Sequence, residues 1–254
     1  MNITIIPTGE QASKTIGHVI ILRNVTPYKE LDFAKTNFIA TVSHELKTPI
    51  SSIQMSLQLL QNEQIGKMNE EQKNLLESIN EDAARLLKIT AELLNMTQVE
   101  SGKIQLGIIP TAAKEMLMYA VNANKTQAEQ KQIKLEISCP DTIPKVLADN
   151  EKTSWVLTNL ISNAIRYSYD NSTIYLSVTE TKNQIQFSVK DTGQGIAPQY
   201  KDKIFDRYFR VPGIKKEGTG LGLSISKEFI EEQGGQITVD TDFGAGSVFT
   251  VSLN

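Results

Sequence analysis

A chain of 254 residues with 40% hydrophobic and 22% charged residues is long enough for two modest soluble domains, each with its own core. Its net charge of -3 gives no basic face, which excludes nucleic acid as an expected partner. No apolar run of about 18 residues is present, and the N-terminus lacks the basic-then-apolar layout of a signal peptide, so the chain reads as a cytoplasmic piece with no membrane segment. One cysteine forms no internal disulfide and agrees with a reducing compartment, and no spaced His/Cys cluster supports zinc.

Residues 1–30 read as two short strands, 3–6 and 18–23, too little to bury a core alone. One of the two histidines, His18, falls in the second of these as an ordinary strand residue. From residue 28 to about 63 the apolar residues Leu31, Ala34, Phe38, Val42, Leu46, Ile50, Ile53, Leu57 and Leu60 step by three or four, the mark of an amphipathic helix. Inside this helix stands Ser43-His44-Glu45-Leu46-Lys47-Thr48-Pro49. His44 lies off the apolar stripe and is expected to face water, with Thr48 one turn further on the same face. A neighbouring carboxylate that accepts the proton of one imidazole nitrogen activates the other as a nucleophile, and Glu45 is placed to do so. Pro49 removes one backbone hydrogen bond, so a local bend is expected there.

A turn at 64–69 leads to a second helix, 70–101, with Leu75, Ile79, Ala83, Leu86, Leu93 and Met96 on one side and Gly102 at its end. Two such helices make an antiparallel hairpin, and a hairpin alone does not cover both stripes. The economical solution is a homodimer whose two hairpins form a four-helix bundle with His44 outside it.

Beyond Gly102 the composition changes. A strand is expected at 104–109, a helix at 111–132, a strand through Ile133, Leu135, Ile137 and Cys139 with Cys139 facing the core, and a short strand at 146–148. A helix at 151–167 precedes clean alternation at Ile174, Leu176, Val178 and at Ile185, Phe187, Val189, and a last strand pair falls at 237–239 and 248–253. Helices segregated over one mixed sheet define an α+β sandwich.

Three stretches of this second region carry groups suited to a nucleotide. On the 151–167 helix Asn159, Asn163 and Arg166 fall at i, i+4 and i+7, one face on which amide oxygens can ligate Mg²⁺ and a guanidinium can meet phosphate. Asp191-Thr192-Gly193-Gln194-Gly195 puts a carboxylate at a strand end beside glycines that let a ligand approach the backbone. Gly218-Thr219-Gly220-Leu221-Gly222 offers backbone N–H groups ahead of a helix, preceded by a Gly/Pro-punctuated stretch, 211–217, with the character of a lid. No Gly-Lys-Ser/Thr follows, so this is not a Walker A loop.

The order His-Glu-X-X-Thr-Pro, Asn-X-X-X-Asn, Asp-X-Gly-X-Gly, Phe-X-Arg-X-Phe and Gly-X-Gly-X-Gly resembles the H, N, G1, F and G2 boxes of bacterial sensor histidine kinases over nearly all of residues 31–254. Gly17 to Thr26 similarly resembles the last strand and exit motif of a PAS sensor domain, with Asn24 where an aspartate is usual. The resemblance implies a PAS-like remnant at 1–30, a HisKA-type dimerisation and phosphotransfer hairpin at 31–103, and a GHKL-type ATP-binding sandwich at 104–254. It also implies ATP and Mg²⁺ as ligands, a response regulator receiver domain as partner, and, for the whole protein, a possible tether to the inner membrane. Carried over by position, His44 is the phosphoacceptor, Glu45 its base and Thr48 the residue that positions water for dephosphorylating the partner. Asn163 holds Mg²⁺ with Asn159 nearby, Arg166 contacts phosphate, Tyr167 packs on the nucleoside and Asp191 binds the adenine amine, with Gly193 and Gly195 in its loop. The Phe205-Asp206-Arg207-Tyr208-Phe209-Arg210 aromatics anchor the lid, Arg207 or Arg210 reaches the phosphates, and Gly218, Thr219, Gly220, Leu221 and Gly222 close over them. Trp155 stands where the family commonly has glutamine, a structural position. Two alternatives remain at this point: an ATPase of the gyrase or heat-shock type, which lacks the phosphoacceptor helix, and a catalytically silent nucleotide-binding dimerisation scaffold.

Overall fold

The computed structural model describes residues 2–8, 17–24, 26–62, 66–102, 104–182, 184–213 and 218–254. The link between the first two expected strands, part of the 64–69 turn, residues 214–217 of the lid stretch and the side chain of His18 lie outside the described residues. The chain divides into two compact units, Met1–Ser101 and Gly102–Asn254.

In the first unit, β1 (Asn2–Thr8) and β2 (Gly17–Arg23) pair as an antiparallel ribbon. Helix α1 (Thr26–Leu60) runs unbroken through Pro49, and α2 (Glu70–Glu100) packs against it. Asn69 opens α2 with a capping box: its side chain accepts from the Gln72 amide at 2.8 Å while the Gln72 side chain accepts from the Asn69 amide at 3.0 Å. At the other end Gly102 takes φ +61°, the left-handed residue that terminates a helix. Lys35, near the start of α1, lies 3.6 Å from Glu100 at the end of α2, so the helices are antiparallel. Ile50, Leu57, Ala83 and Met96 fill the seam between them. Much of the rest of the stripe is exposed: Phe38 is 69% exposed, Leu46 44%, Leu75 61% and Leu86 50%.

The second unit holds β3 (Ile108–Thr111), α3 (Ala113–Gln130), β4 (Lys134–Ser138), β5 (Val146–Asp149), α4 (Asn150–Tyr167), β6 (Thr173–Thr181), β7 (Gln184–Lys190), α5 (Gly222–Glu231), β8 (Gln236–Asp242) and β9 (Gly246–Leu253). Two short 3₁₀ turns, Pro198–Tyr200 and Lys203–Phe205, precede α5. The main sheet is five-stranded in the order β4-β6-β7-β9-β8, parallel only between β4 and β6, and a separate two-stranded sheet pairs β3 with β5. Helix α4 packs on α3, on α5 and on β7, so its apolar side (Val156, Leu157, Leu160, Ile161, Ile165) is buried together with Ile174, Leu176, Val178, Phe187, Val189 and Phe229. The mixed sheet covered by helices is the sandwich the alternation implies.

Three sequence expectations need correction. The strand expected at 104–109 forms at Ile108–Thr111 instead, and Pro110 is tolerated because β3 pairs on one side only. The single sheet expected in the second unit is two sheets among its described residues. Cys139 lies beyond the end of β4 and is half-buried rather than a core residue, and Ile137 is 42% exposed, because β4 is an edge strand. No helix among the described residues is long and apolar enough to cross a membrane.

Candidate functional site

Helix α1 presents His44 as the stripe demands. Ser43 turns into the seam with 3% of its surface exposed, while the side chains of His44 and Glu45 are 78% and 76% exposed. Glu45 Oε1 lies 3.8 Å from His44 Nδ1, beyond hydrogen-bond length. Thr48, four residues on, is exposed on the same side of the helix.

In the second unit the three nucleotide-suited stretches come together around α4. Asp149 caps this helix by accepting from the Lys152 amide at 2.9 Å, and its far end delivers Arg166 and Tyr167. The two asparagines on its polar face differ. Asn159 is buried, its amide donates to Ser226 Oγ at 3.0 Å, and a Cβ on Gly222 would stand 2.6 Å from its Oδ1. Gly222 thus lets the first turn of α5 rest directly on Asn159. Asn163 is half-buried and its side chain makes no hydrogen bond among the described residues, so its amide oxygen is available to a ligand. Arg166 Nη1 lies against Gly218, 3.3 Å from where a Cβ would stand.

Asp191, at the end of β7, is 5% exposed, and its Oδ1 accepts from the Gly193 amide at 2.8 Å. Burial pushes its carboxyl above the ordinary range, opposed by backbone hydrogen bonds from Gly193 and Ser247. Gly193 presses on the end of α4, where a Cβ would meet the Tyr167 carbonyl oxygen at 2.4 Å. Gly195 has φ +65° and would place a Cβ 2.0 Å from the Asp242 carbonyl, so both conformation and space require glycine. The loop that carries Asp191 is therefore wedged between α4 and the β8–β9 turn.

Gly220 combines φ +75° with a Cβ position 2.7 Å from the Tyr208 carbonyl carbon, and its own carbonyl accepts from the Tyr208 amide at 3.0 Å. Tyr208 itself takes φ +62°, a costly conformation for a bulky residue, so the contact between the two motifs holds a strained turn. Phe209 packs on Tyr200 with ring centroids 5.8 Å apart, and Arg207 reaches Glu228 of α5 at 3.4 Å. The Leu221 amide donates to Thr219 Oγ1 at 3.2 Å, and Leu221 is buried. Arg210 is exposed.

The structure thus sets Gly193, Gly218 and Gly222 against α4, which carries Asn159, Asn163, Arg166 and Tyr167, with Asp191 in the Gly193 loop, Gly195 against the β8–β9 turn and Gly220 against Tyr208; it presents His44, Glu45 and Thr48 on one face of α1 in the other unit. Sequence reasoning missed the residues that back this arrangement. Lys131 caps the C-terminus of α4 by donating to the Ile165 and Arg166 carbonyls at 2.9 and 3.2 Å, and Thr241 and Ser247 lie behind the Asp191 loop. None belongs to a glycine or asparagine motif; only a turn signal at Phe243-Gly244-Ala245-Gly246 marks the last two as neighbours of a special loop.

A helical hairpin with an exposed histidine, joined in one chain to an α+β sandwich with an asparagine helix and two glycine-rich loops, defines a phosphoacceptor domain followed by an ATPase-type domain. The family model of the His Kinase A (phospho-acceptor) domain matches residues 34–102, and that of the histidine kinase-, DNA gyrase B-, and HSP90-like ATPase matches residues 148–254. The chain thus pairs the two domains of a histidine kinase core. It is 34% identical over 252 residues to the sensor protein SrrB of Staphylococcus aureus (96% of this chain, 42% of SrrB), and 28% identical over 247 residues to the alginate biosynthesis sensor protein KinB of Pseudomonas aeruginosa (97% of this chain, 41% of KinB). The chain thus spans about two fifths of the length of these curated relatives. Among solved structures it is similar to full-length ShkA in complex with AMPPNP, with a TM-score of 0.68 and 26% identity over 85% of this chain and 45% of that one. It is also similar to the histidine kinase AdeS of Acinetobacter baumannii, with a TM-score of 0.57 and 25% identity over 83% of this chain and 97% of that one. The match over 34–102 sets it apart from gyrase-type and heat-shock-type ATPases, which lack that domain.

Proposed function

We propose that residues 31–254 are the core of a dimeric histidine kinase that binds Mg-ATP in residues 104–254, phosphorylates His44 and passes the phosphoryl group to an aspartate of a response regulator. Residues 1–30 are the end of an upstream PAS-like sensor domain in this reading. The residues present suit the nucleotide. Asp191 has a buried carboxylate for an adenine amine, Asn163 has an uncommitted amide oxygen for Mg²⁺ beside the latched Asn159, and Gly218, Gly220 and Gly222 let their segments approach Arg166, Tyr208 and Asn159 where side chains would collide. Arg166, Arg207 and Arg210 supply positive charge for the phosphates, and Tyr167 a ring for the nucleoside. When bound, ATP supplies the γ-phosphoryl group and Mg²⁺ neutralises charge on it.

Glu45 lies on the Nδ1 side of His44, which leaves Nε2 as the nucleophile. Nε2 forms the bond to phosphorus as the bond to the ADP oxygen breaks, and the Nδ1 proton passes to Glu45. Thr48 orients the water that later hydrolyses a phosphoaspartate docked on the same face, which adds phosphatase activity toward the regulator. Homodimerisation follows from the exposed stripe of Phe38, Leu46, Leu75 and Leu86, which a second hairpin would cover.

The observation that carries this reading is the pairing in one chain of an exposed His44 beside Glu45 with a nucleotide-suited face whose Asn163 is uncommitted. Incubation with γ-labelled ATP tests it. The parent chain takes up label only with Mg²⁺ present, and Asn163→Ala loses it while retaining its fold. Undiminished label on Asn163→Ala would remove the magnesium role, and binding of ATP by the parent with no label transferred would favour the silent scaffold.

A further inference from the structure

Behind the Asp191 loop a single hydroxyl has all of its hydrogen-bonding capacity committed. Thr241 Oγ1, on β8, accepts from the Ile196 amide at 2.9 Å, donates to the Gly246 carbonyl at 3.0 Å and lies 2.9 Å from Ser247 Oγ. A threonine hydroxyl has one proton and two lone pairs. With the proton on Gly246, the third contact is donation from Ser247, and nothing is left over for water.

Each of the three partners leads back to Asp191. The Ser247 carbonyl accepts from the Asp191 amide at 2.9 Å. Gly246 abuts the Asp191 carbonyl so closely that a Cβ there would stand 2.2 Å from its oxygen. Ile196 closes the other end of the Asp191 loop. Thr241 therefore ties both ends of that loop to one point, while the loop's own residues contribute glycines that impose little rigidity of their own.

We infer that Thr241 is a positioning residue for base recognition: its hydroxyl holds the Asp191 carboxylate where it selects a purine bearing an exocyclic amine. The inference rests on the adenine role given to Asp191 above. A carboxylate fixed in place accepts from the amine of adenine and repels the carbonyl oxygen that guanine has at that position; a carboxylate free to swing discriminates less. Without the hydroxyl, the Ile196 N–H, the Gly246 C=O and the Ser247 O–H all lose a partner.

The test is ATP and GTP binding to the parent chain, Thr241→Val and Thr241→Ser by calorimetry, with amide exchange at Ile196 as a second readout. Loss of one such buried hydrogen bond corresponds to an affinity change of about tenfold. Thr241→Val is expected to bind ATP about tenfold more weakly, to lose a similar factor of its preference over GTP and to exchange the Ile196 amide faster, whereas Thr241→Ser restores all three. A hydroxyl that only stabilised the fold would lower the melting temperature and leave the ATP:GTP ratio unchanged; that outcome overturns the inference and leaves the role of Asp191 standing. A parent chain with no preference for ATP over GTP overturns the adenine role itself, and the inference with it. Should Thr241→Val not fold, Ser247→Ala removes one of the three ties, and there a lowered ATP:GTP ratio supports the inference and an unchanged ratio overturns it.

Discussion

The two units of the chain bury their apolar residues to very different degrees. In the sandwich Val156, Ile161, Ile174, Phe229 and Val251 are wholly enclosed by their own domain. In the hairpin, residues of equally regular spacing stand open: Ile79 is 48% exposed, Leu86 50% and Ile53 48%. The same physical rule, that an apolar stripe seeks cover, is satisfied within one unit and left open in the other. The sandwich completes its own core, and the proposed homodimer would make the hairpin half of a bundle.

The largest effects should come from changes that test this division directly. Placing charge on the open stripe with Ile79→Glu and Leu86→Glu would bury four unpaired carboxylates in a symmetric dimer, at a cost of several kcal/mol for each. Sedimentation is expected to show a monomer with unchanged nucleotide affinity; a variant that stays dimeric would mean the stripe is covered by something other than a second hairpin. Phe229→Ala in the sandwich core, where Phe229 packs edge-on to Trp155 at 5.6 Å, is expected to cost about 3–5 kcal/mol of that domain's stability and to leave the oligomeric state alone.

A smaller effect concerns Asp191. Because burial raises its pKa, the carboxylate is protonated at a higher pH than an ordinary aspartate, and a protonated carboxyl no longer offers both oxygens to an amine. ATP affinity should therefore fall as pH drops through this raised value, and Asp191→Asn should bind weakly at every pH. The sign for stability is opposite: a raised carboxyl pKa means that the folded state binds more protons than the unfolded one between the ordinary and the raised value, so this group's contribution worsens as pH rises through that window. An ATP titration that is flat over this range, or an Asp191→Asn variant with parental affinity, would remove the adenine role.

The smallest change separates two activities on one helix face. Thr48→Ala should lower dephosphorylation of the cognate phospho-regulator by roughly 10-fold or more, as loss of a group that orients water does, while autophosphorylation stays near the parent rate. Equal loss of both rates would assign Thr48 to the helix around Pro49 instead.

How far the sequence reached differs between the units in the same way. Helical periodicity located both hairpin helices and put His44 on the outer face, since a stripe of nine apolar positions leaves little freedom in rotation. Alternation marked Ile174, Leu176, Val178, Ile185, Phe187 and Val189, all of which are buried. It misjudged Cys139 because alternation tells which residues share a face of a strand, not whether another element covers that face; at the edge strand β4 little does. The strand expected at 104–109 forms at Ile108–Thr111, and the short apolar run did not show that Pro110 is accommodated there by one-sided pairing. Helix spacing brought Asn159, Asn163 and Arg166 to one face, but that Asn159 is latched to Ser226 and Asn163 is not depends on contacts far apart in the chain. Thr241 was invisible for the same reason, its role arising wholly from what the β8–β9 turn brings beside the Asp191 loop.

Whether His44 accepts the phosphoryl group is decided by the chemical stability of the label. After reaction with γ-labelled ATP, the parent protein should carry label that is lost in acid and retained in base, as a phosphoramidate is, and His44→Gln should carry none while binding ATP as tightly as the parent. Acid-stable label, or label persisting on His44→Gln, would contradict the account and point to a hydroxyl acceptor elsewhere in the chain.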